Sequence, residues 1–202
     1  MTKVKFCGLS RKEDILAANE LKPDYIGFVF AKKSKRYISA DAAKELKLAL
    51  SPIIQAVGVF VDEETEKIAI IANENIIDLI QLHGNEDEEY IKKLRTLTNK
   101  PIICAVQLKT AADIKKANER DGDYILLDAG QGEGKAFDWN LLEKVKRPYF
   151  LAGGLNEDNI ADALMLNPFA VDVSSGIETD GKKDAEKMKR FIEIVRKGES
   201  NE

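Results

Sequence analysis

A regular alternation of element types narrows the fold of this chain more than any other feature. Short apolar runs give way, eight times over, to longer stretches whose apolar residues recur every three or four positions. In the first run Val4 and Phe6 alternate with Lys3 and Lys5, the period of a strand, and Gly8 permits a sharp exit. A helix beginning at Arg11 or Lys12 carries Ile15, Ala18 and Leu21 on one face and stops before Pro23. The second run, residues 25–30, is almost continuously apolar, as expected of a strand covered on both sides. Ser39 is placed to cap a helix that buries Ala43, Leu46 and Leu50. Further strands are predicted at 55–61, 78–82, 102–106, 124–127, 149–151 and 170–173. Asp62, a Thr110/Asp113 capping box and Asn156 are the expected openings of intervening helices, with others at 88–97 and, briefly, 140–145. The last helix is expected from about Lys183, with Met188, Phe191, Ile192 and Val195 inward and a polar tail from Gly198. An open doubly wound sheet holds fewer or differently spaced units. Eight units with short connections in 202 residues are the arithmetic of an α/β chain that closes as one domain, a small (β/α)8 or TIM barrel.

The totals exclude several classes of function. A net charge of -4 and a pI near 5.3, with the cations spread along the chain, argue against nucleic acid or an anionic membrane as the main partner, so any anion the chain binds is expected to be small and held locally. Two cysteines far apart, after a start without a long apolar run, suggest a reducing cytoplasmic setting and no disulfide framework. No apolar run approaches the length of a membrane span. The single histidine, His83, excludes a metal site built from several imidazoles, although carboxylate sites for Mg²⁺ stay open on composition.

A barrel gathers the residues that follow its strands on one rim, so distant parts of the chain can face one ligand. Here those residues are Cys7, the basic loop from Lys32 to Arg36, His83, Asp128, Gly153 with Gly154, and Asp172 with Ser174, Ser175 and Gly176. Each has a plain structural reading beside the functional one. Cys7 is either an inert buried hydrophobe or a thiol aimed at a substrate, whereas Cys104, lying mid-strand, reads as core. The Gly153-Gly154 pair alone is ordinary turn chemistry. Paired with the Ser-Ser-Gly after the eighth strand, it matches the place where barrels hold phosphate on unhindered backbone N–H groups. Asp172, between two valines, either meets polar partners at the mouth, the favoured reading, or bears a desolvation cost. Arg36 belongs to a charge run that is either simply solvated or able to grip a carboxylate with two parallel hydrogen bonds. His83 reads as a structural or substrate-orienting imidazole, and the glycine-rich stretch from Gly130 to Lys135 as a mobile loop.

Taken together these stretches resemble the phosphoribosylanthranilate isomerase family of tryptophan biosynthesis, over nearly the whole chain. The likeness rests on Lys5-Phe6-Cys7-Gly8-Leu9-Ser10, Gly27-Phe28-Val29-Phe30 with Ser34-Lys35-Arg36-Tyr37-Ile38-Ser39, Val57-Gly58-Val59-Phe60-Val61, and Gln81-Leu82-His83-Gly84. It continues through Leu127-Asp128, Gly134-Lys135 with Phe137-Asp138-Trp139, Leu151-Ala152-Gly153-Gly154-Leu155-Asn156, and the run from Asp172 to Glu178. Two departures stand out: Gly130-Gln131-Gly132-Glu133 lacks the adjacent glycines expected there, and Phe6 and Leu9 replace smaller or branched residues. The resemblance implies an Amadori rearrangement of an aminoaldose phosphate by general acid/base catalysis, without cofactor or metal. It assigns Cys7 as base and Asp128 as acid, Arg36 to the anthranilate carboxylate, Asp172 to the sugar or amine region, the last two loops to phosphate, and the loop with Lys135 to closure. Such a pair needs the thiol helped toward thiolate by a cation or dipole, and the carboxyl kept protonated by an apolar setting. The rivals are the related aldose isomerase of histidine synthesis, which carries a carboxylate where this chain has Cys7, and a catalytically silent phosphosugar-binding barrel. A ribulose-phosphate epimerase would require histidines that are absent. Oligomeric state and docking to other enzymes are not legible.

Overall fold

The computed structural model of the chain describes residues 1–129 and 139–198. Within them eight parallel strands close into a barrel in sequence order: β1 (Lys3–Cys7), β2 (Tyr25–Val29), β3 (Gln55–Phe60), β4 (Leu79–Leu82), β5 (Ile102–Gln107), β6 (Tyr124–Asp128), β7 (Tyr149–Ala152) and β8 (Ala170–Val173). The crossovers carry α1 (Lys12–Leu21), α2 (Ala40–Ala49), α3 (Thr65–Asn73), α4 (Glu88–Leu97), α5 (Ala111–Glu119), a 3₁₀ turn at Trp139–Lys144, α6 (Ile160–Leu164) and finally α7 (Ala185–Gly198). The anticipated rhythm is therefore present, with the sixth helix wound as 3₁₀. The glycine-rich loop from Gly130 to Lys135 and the tail beyond 198 lie outside the described residues.

Period-two alternation decides which side chains fill the barrel. On β1, Val4 and Phe6 turn outward into the shell between sheet and helices, where the Phe6 ring meets Phe191 of α7 edge-on at 6.4 Å. Lys5 and Cys7 therefore turn inward. The base of the interior is apolar and aromatic: Phe150 sits among Tyr25, Tyr124 and Phe169 at ring distances of 5.4, 5.8 and 5.5 Å. Cys104 is wholly buried in the outer shell, as expected for a core thiol.

Several boundaries differ from the sequence reading, each for a local reason. Asp62 does not cap α3; it sits at positive φ and its carboxylate accepts from the Asn85 N–H at 2.7 Å, which ties two rim loops together, while Glu64 precedes the helix. Asn156 accepts from the N–H groups of Asp158 and Asn159 in a turn ahead of α6, and Asn159 takes the cap position. Lys183 does not open the last helix. Two extra short strands, β9 (Glu178–Thr179) and β10 (Lys182–Lys183), form a hairpin between β8 and α7.

Truncating the aromatic plug tests how much the base of the barrel supports the rest. Phe150→Ala should cost about 3–5 kcal/mol through lost burial and an unfilled cavity, read as a lower midpoint in urea unfolding with little change in slope.

Candidate active site

The carboxyl ends of the strands surround a cavity of about 320 Å³. Cys7, Arg36, His83, Asp128, Gly153, Gly154, Asp172 and Ser175 all line it, so eight of the nine residues singled out by sequence meet at one mouth. Gly176 is the exception. A Cβ there would lie 2.0 Å from the Leu155 carbonyl oxygen, so Gly176 acts as the contact that lets the loop after β8 pack against the loop after β7. Both loops then face the cavity, and residues 175–177 form a single 3₁₀ turn there.

Cys7 ends β1 almost fully buried. Asp172, paired with Lys5 across β1 and β8, lines the cavity at 8 % exposure and has a polar partner there, accepting from Lys5 Nζ at 2.9 Å, with Lys5 itself at 0 %. Lys5 belongs to the first strand read from the sequence but was not among the candidate site residues. Its signal is the strand period: residues two apart share a face, so a Cys7 aimed at a substrate puts Lys5 on the same side.

Arg36 crosses the end of β1 over Gly8, whose φ of 82° and missing side chain leave room for the arginine stem. Its Nε and Nη2 donate to Glu178 Oε1 and Oε2 at 2.6 and 2.8 Å. The carboxylate grip expected of Arg36 is thus taken on one edge by the protein's own Glu178, which the sequence reading passed over. A guanidinium has five N–H donors, and Nη1 carries no hydrogen bond among the described residues. Lys183 completes the cluster, donating to Glu178 at 2.6 Å and to the Ser174 carbonyl at 2.9 Å, while Ser174 Oγ donates to the Cys7 carbonyl at 3.0 Å. Burial works to raise the Glu178 carboxyl, but the hydrogen bonds from Arg36 and Lys183 more than offset it and hold it at about 2. Burial outweighs Glu178 at Lys183, whose ammonium is pulled below its ordinary value.

Across the mouth His83 Nε2 lies 3.4 Å from Asp128 Oδ2, and His83 Nδ1 is 2.9 Å from Gln81 Nε2. Asp128, whose side chain is 26% exposed, therefore has an imidazole neighbour not anticipated from the sequence. Gln81, another residue the sequence reading missed, is buried beneath, and its Oε1 has no partner among the described residues. The arrangement offers a buried thiol, a carboxyl group beside an imidazole, a guanidinium edge and two anion-suited backbone loops around one space. Such a set can move protons on an anionic, phosphate-bearing molecule. Among the described residues, no helix is long and apolar enough to cross a membrane.

Comparison with known proteins gives consistent results. The family model described as N-(5'phosphoribosyl)anthranilate (PRA) isomerase matches residues 4–194. A relative from Endomicrobium trichonymphae, named N-(5'-phosphoribosyl)anthranilate isomerase, is 45% identical over 202 residues, covering 97% of this chain and 99% of its own. One of the same name from Clostridium acetobutylicum is 46% identical over 207 residues, covering 98% and 99%. The crystal structure of phosphoribosyl anthranilate isomerase from Thermotoga maritima superposes with a TM-score of 0.89 at 41% identity, over 98% of this chain and 100% of that one. Another such isomerase, in complex with reduced 1-(o-carboxyphenylamino)-1-deoxyribulose 5-phosphate, gives 0.86 at 40% identity and the same coverage.

The Glu178 cluster yields a stability test. Glu178→Gln should weaken the Arg36 and Lys183 contacts and lower unfolding free energy at neutral pH by about 1–3 kcal/mol. A carboxyl held down in the folded state stabilises fully above its unfolded value near 4.5, and that contribution fades as pH falls toward about 2. The variant's stability should accordingly fall less steeply than the parent's over that acid range, as measured by urea unfolding at a series of pH values.

Proposed function

The chain belongs to the N-(5'-phosphoribosyl)anthranilate isomerase family, and from that premise we propose that Cys7 and Asp128 carry out the isomerisation as base and acid. The substrate is N-(5-phosphoribosyl)anthranilate and the product 1-(2-carboxyphenylamino)-1-deoxyribulose 5-phosphate, a step of tryptophan biosynthesis. The observation that carries the assignment of roles is that the thiol, the carboxyl and both glycine-containing loops line one cavity.

The reaction moves hydrogens and leaves composition unchanged. Asp128 delivers a proton to the sugar ring oxygen, which opens the ring and leaves an iminium at the first carbon. Cys7 takes the proton from the second carbon, and the resulting enolamine tautomerises to the aminoketose. The end-on edge of Arg36 receives the anthranilate carboxylate, held in orientation by Glu178 on its other edge. Asp172 faces the sugar and amine region. Backbone N–H groups of Gly153, Gly154 and Ser175 receive the phosphate, and Gly176, read from sequence as a further donor, instead sets the loop after β8 against the loop after β7. His83 orients Asp128 through their 3.4 Å contact. The small phosphorylated substrate is the partner this mouth suits, and two unpaired cysteines suit a reducing cytoplasm.

Loss of the fluorescent anthranilate substrate, with the histidine-pathway aminoaldose as control, tests this reading. Cys7→Ala and Asp128→Ala should each lower kcat by about 10²–10⁴-fold while circular dichroism stays unchanged, and near-normal turnover by either folded variant would refute its role. Alkylation of Cys7 should slow when a phosphate-bearing product analogue is present; equal rates with and without it would contradict their proximity.

A further inference from the structure

One charged pair lies in an interior whose base is apolar and aromatic. Lys5 Nζ and Asp172 Oδ1 meet at 2.9 Å inside the barrel, the lysine fully buried. Removing two ions from water costs several kcal/mol each, and their mutual attraction repays this only with good geometry. A pair of well-packed apolar side chains would commonly serve stability as well or better. Stability alone therefore gives no reason for an ammonium at this depth. Its surroundings do. A Cβ built on Gly27, the residue beside Cys7 on β2, would lie 2.8 Å from the Cys7 sulfur and 3.3 Å from Lys5 Nζ, so thiol and ammonium converge on the same point.

We propose that Lys5 is a positioning residue for the reaction: its ammonium, anchored by Asp172, lies under the Cys7 sulfur and supplies the counter-charge that lets the thiol serve as thiolate. This inference rests on Cys7 being the base and adds the group that makes it one.

The charges acting on Cys7 come from every side of its setting. Lys5 stands on its own strand, Asp172 on β8, Lys183 on β10 and Arg36 on the loop after β2, with Glu178 joining the last two. On β2 the adjacent residue is the uncharged Gly27, and His83 and Asp128 face Cys7 across the cavity. Three cations against two carboxylates leave one positive charge, which a thiolate neutralises. Burial pushes the Cys7 thiol up, Lys5 is the foremost group pulling it back, and Asp172 opposes that pull. Burial likewise works against the Lys5 ammonium, yet Asp172 and Cys7 together hold it above its ordinary value, so it stays charged. The thiol stays above its ordinary value on balance, with Lys5 limiting the rise; Asp172 thus has two effects, keeping Lys5 protonated and in place and weakening its downward pull on the thiol.

The test measures thiol reactivity apart from turnover. Iodoacetamide alkylation of Cys7 in the full-length protein is followed by peptide mass from about pH 6 to about pH 11, a range extended upward because burial raises this thiol above its ordinary value. In Lys5→Met the midpoint should rise by at least about one unit, with kcat at neutral pH down at least about tenfold, KM within about threefold and the acid limb of kcat displaced the same way. Lys5→Arg should restore the midpoint toward that of the parent. Should a lone Asp172 prevent Lys5→Met from folding, Lys5→Met/Asp172→Asn is compared with Asp172→Asn alone, and the same rise is expected. An unchanged midpoint in a folded variant overturns the inference and leaves the base assignment standing. A raised midpoint with an unaltered pH dependence of kcat overturns both, because Cys7 would then not be the group whose ionisation governs turnover.

Discussion

Closure of the barrel between β1 and β8 is the constraint on which the rest depends. The pairing sets Lys5 opposite Asp172 and Phe6 opposite Val173. Because side chains alternate along a strand, a slip of one residue would exchange every inward and outward group of β1. Phe6 would leave its contact with Phe191, and Lys5 would be driven into the apolar shell. Register is thus enforced from both faces. The outward side gains from burying Val4 and Phe6, and the inward side cannot bury an ammonium without a carboxylate beside it. The same register that closes the fold delivers Cys7 to the mouth.

A second level of order sits above the strands. The loop after β2, the loop after β8 and the β9–β10 hairpin are joined through Arg36, Ser174, Glu178 and Lys183 by charge-assisted hydrogen bonds. On the far side the loops after β3 and β4 are joined in another way, through Asp62, Asn85 and Glu86. Loops of a barrel rim gain little from hydrophobic burial, so polar contacts between neighbouring loops hold the mouth in shape. Gly176 serves the same end by allowing two backbones to touch.

Much of this was legible in the sequence, because hydrophobic periodicity is a local signal and a strand–helix repeat multiplies it eight times. The rim residues followed from where strands end. What escaped were relations between distant residues. The pairing of Lys5 with Asp172 spans 167 positions and that of Arg36 with Glu178 spans 142, so no local pattern announces either. Asp172 was placed at the mouth on its wish for polar partners. It has one in Lys5, a residue on a neighbouring strand that its own surroundings in sequence do not reveal. Arg36 was recognised as a carboxylate grip, and nothing short of the fold could show that an internal carboxylate already occupies one edge. Asp62 and Asn156 were read as caps because their side chains suit that task, yet each is drawn into a loop instead. Cap chemistry and turn chemistry use the same side chains.

The Glu178 cluster has a consequence for how this protein meets changes in acidity. Since its carboxyl is held at about 2 and Arg36 keeps its proton at any ordinary pH, neither partner of that bidentate pair exchanges a proton across the mildly acidic and neutral range. The architecture of that side of the opening is therefore constant while the surrounding medium drifts. Any dependence of turnover on acidity then reports on groups that react rather than on the frame that holds them.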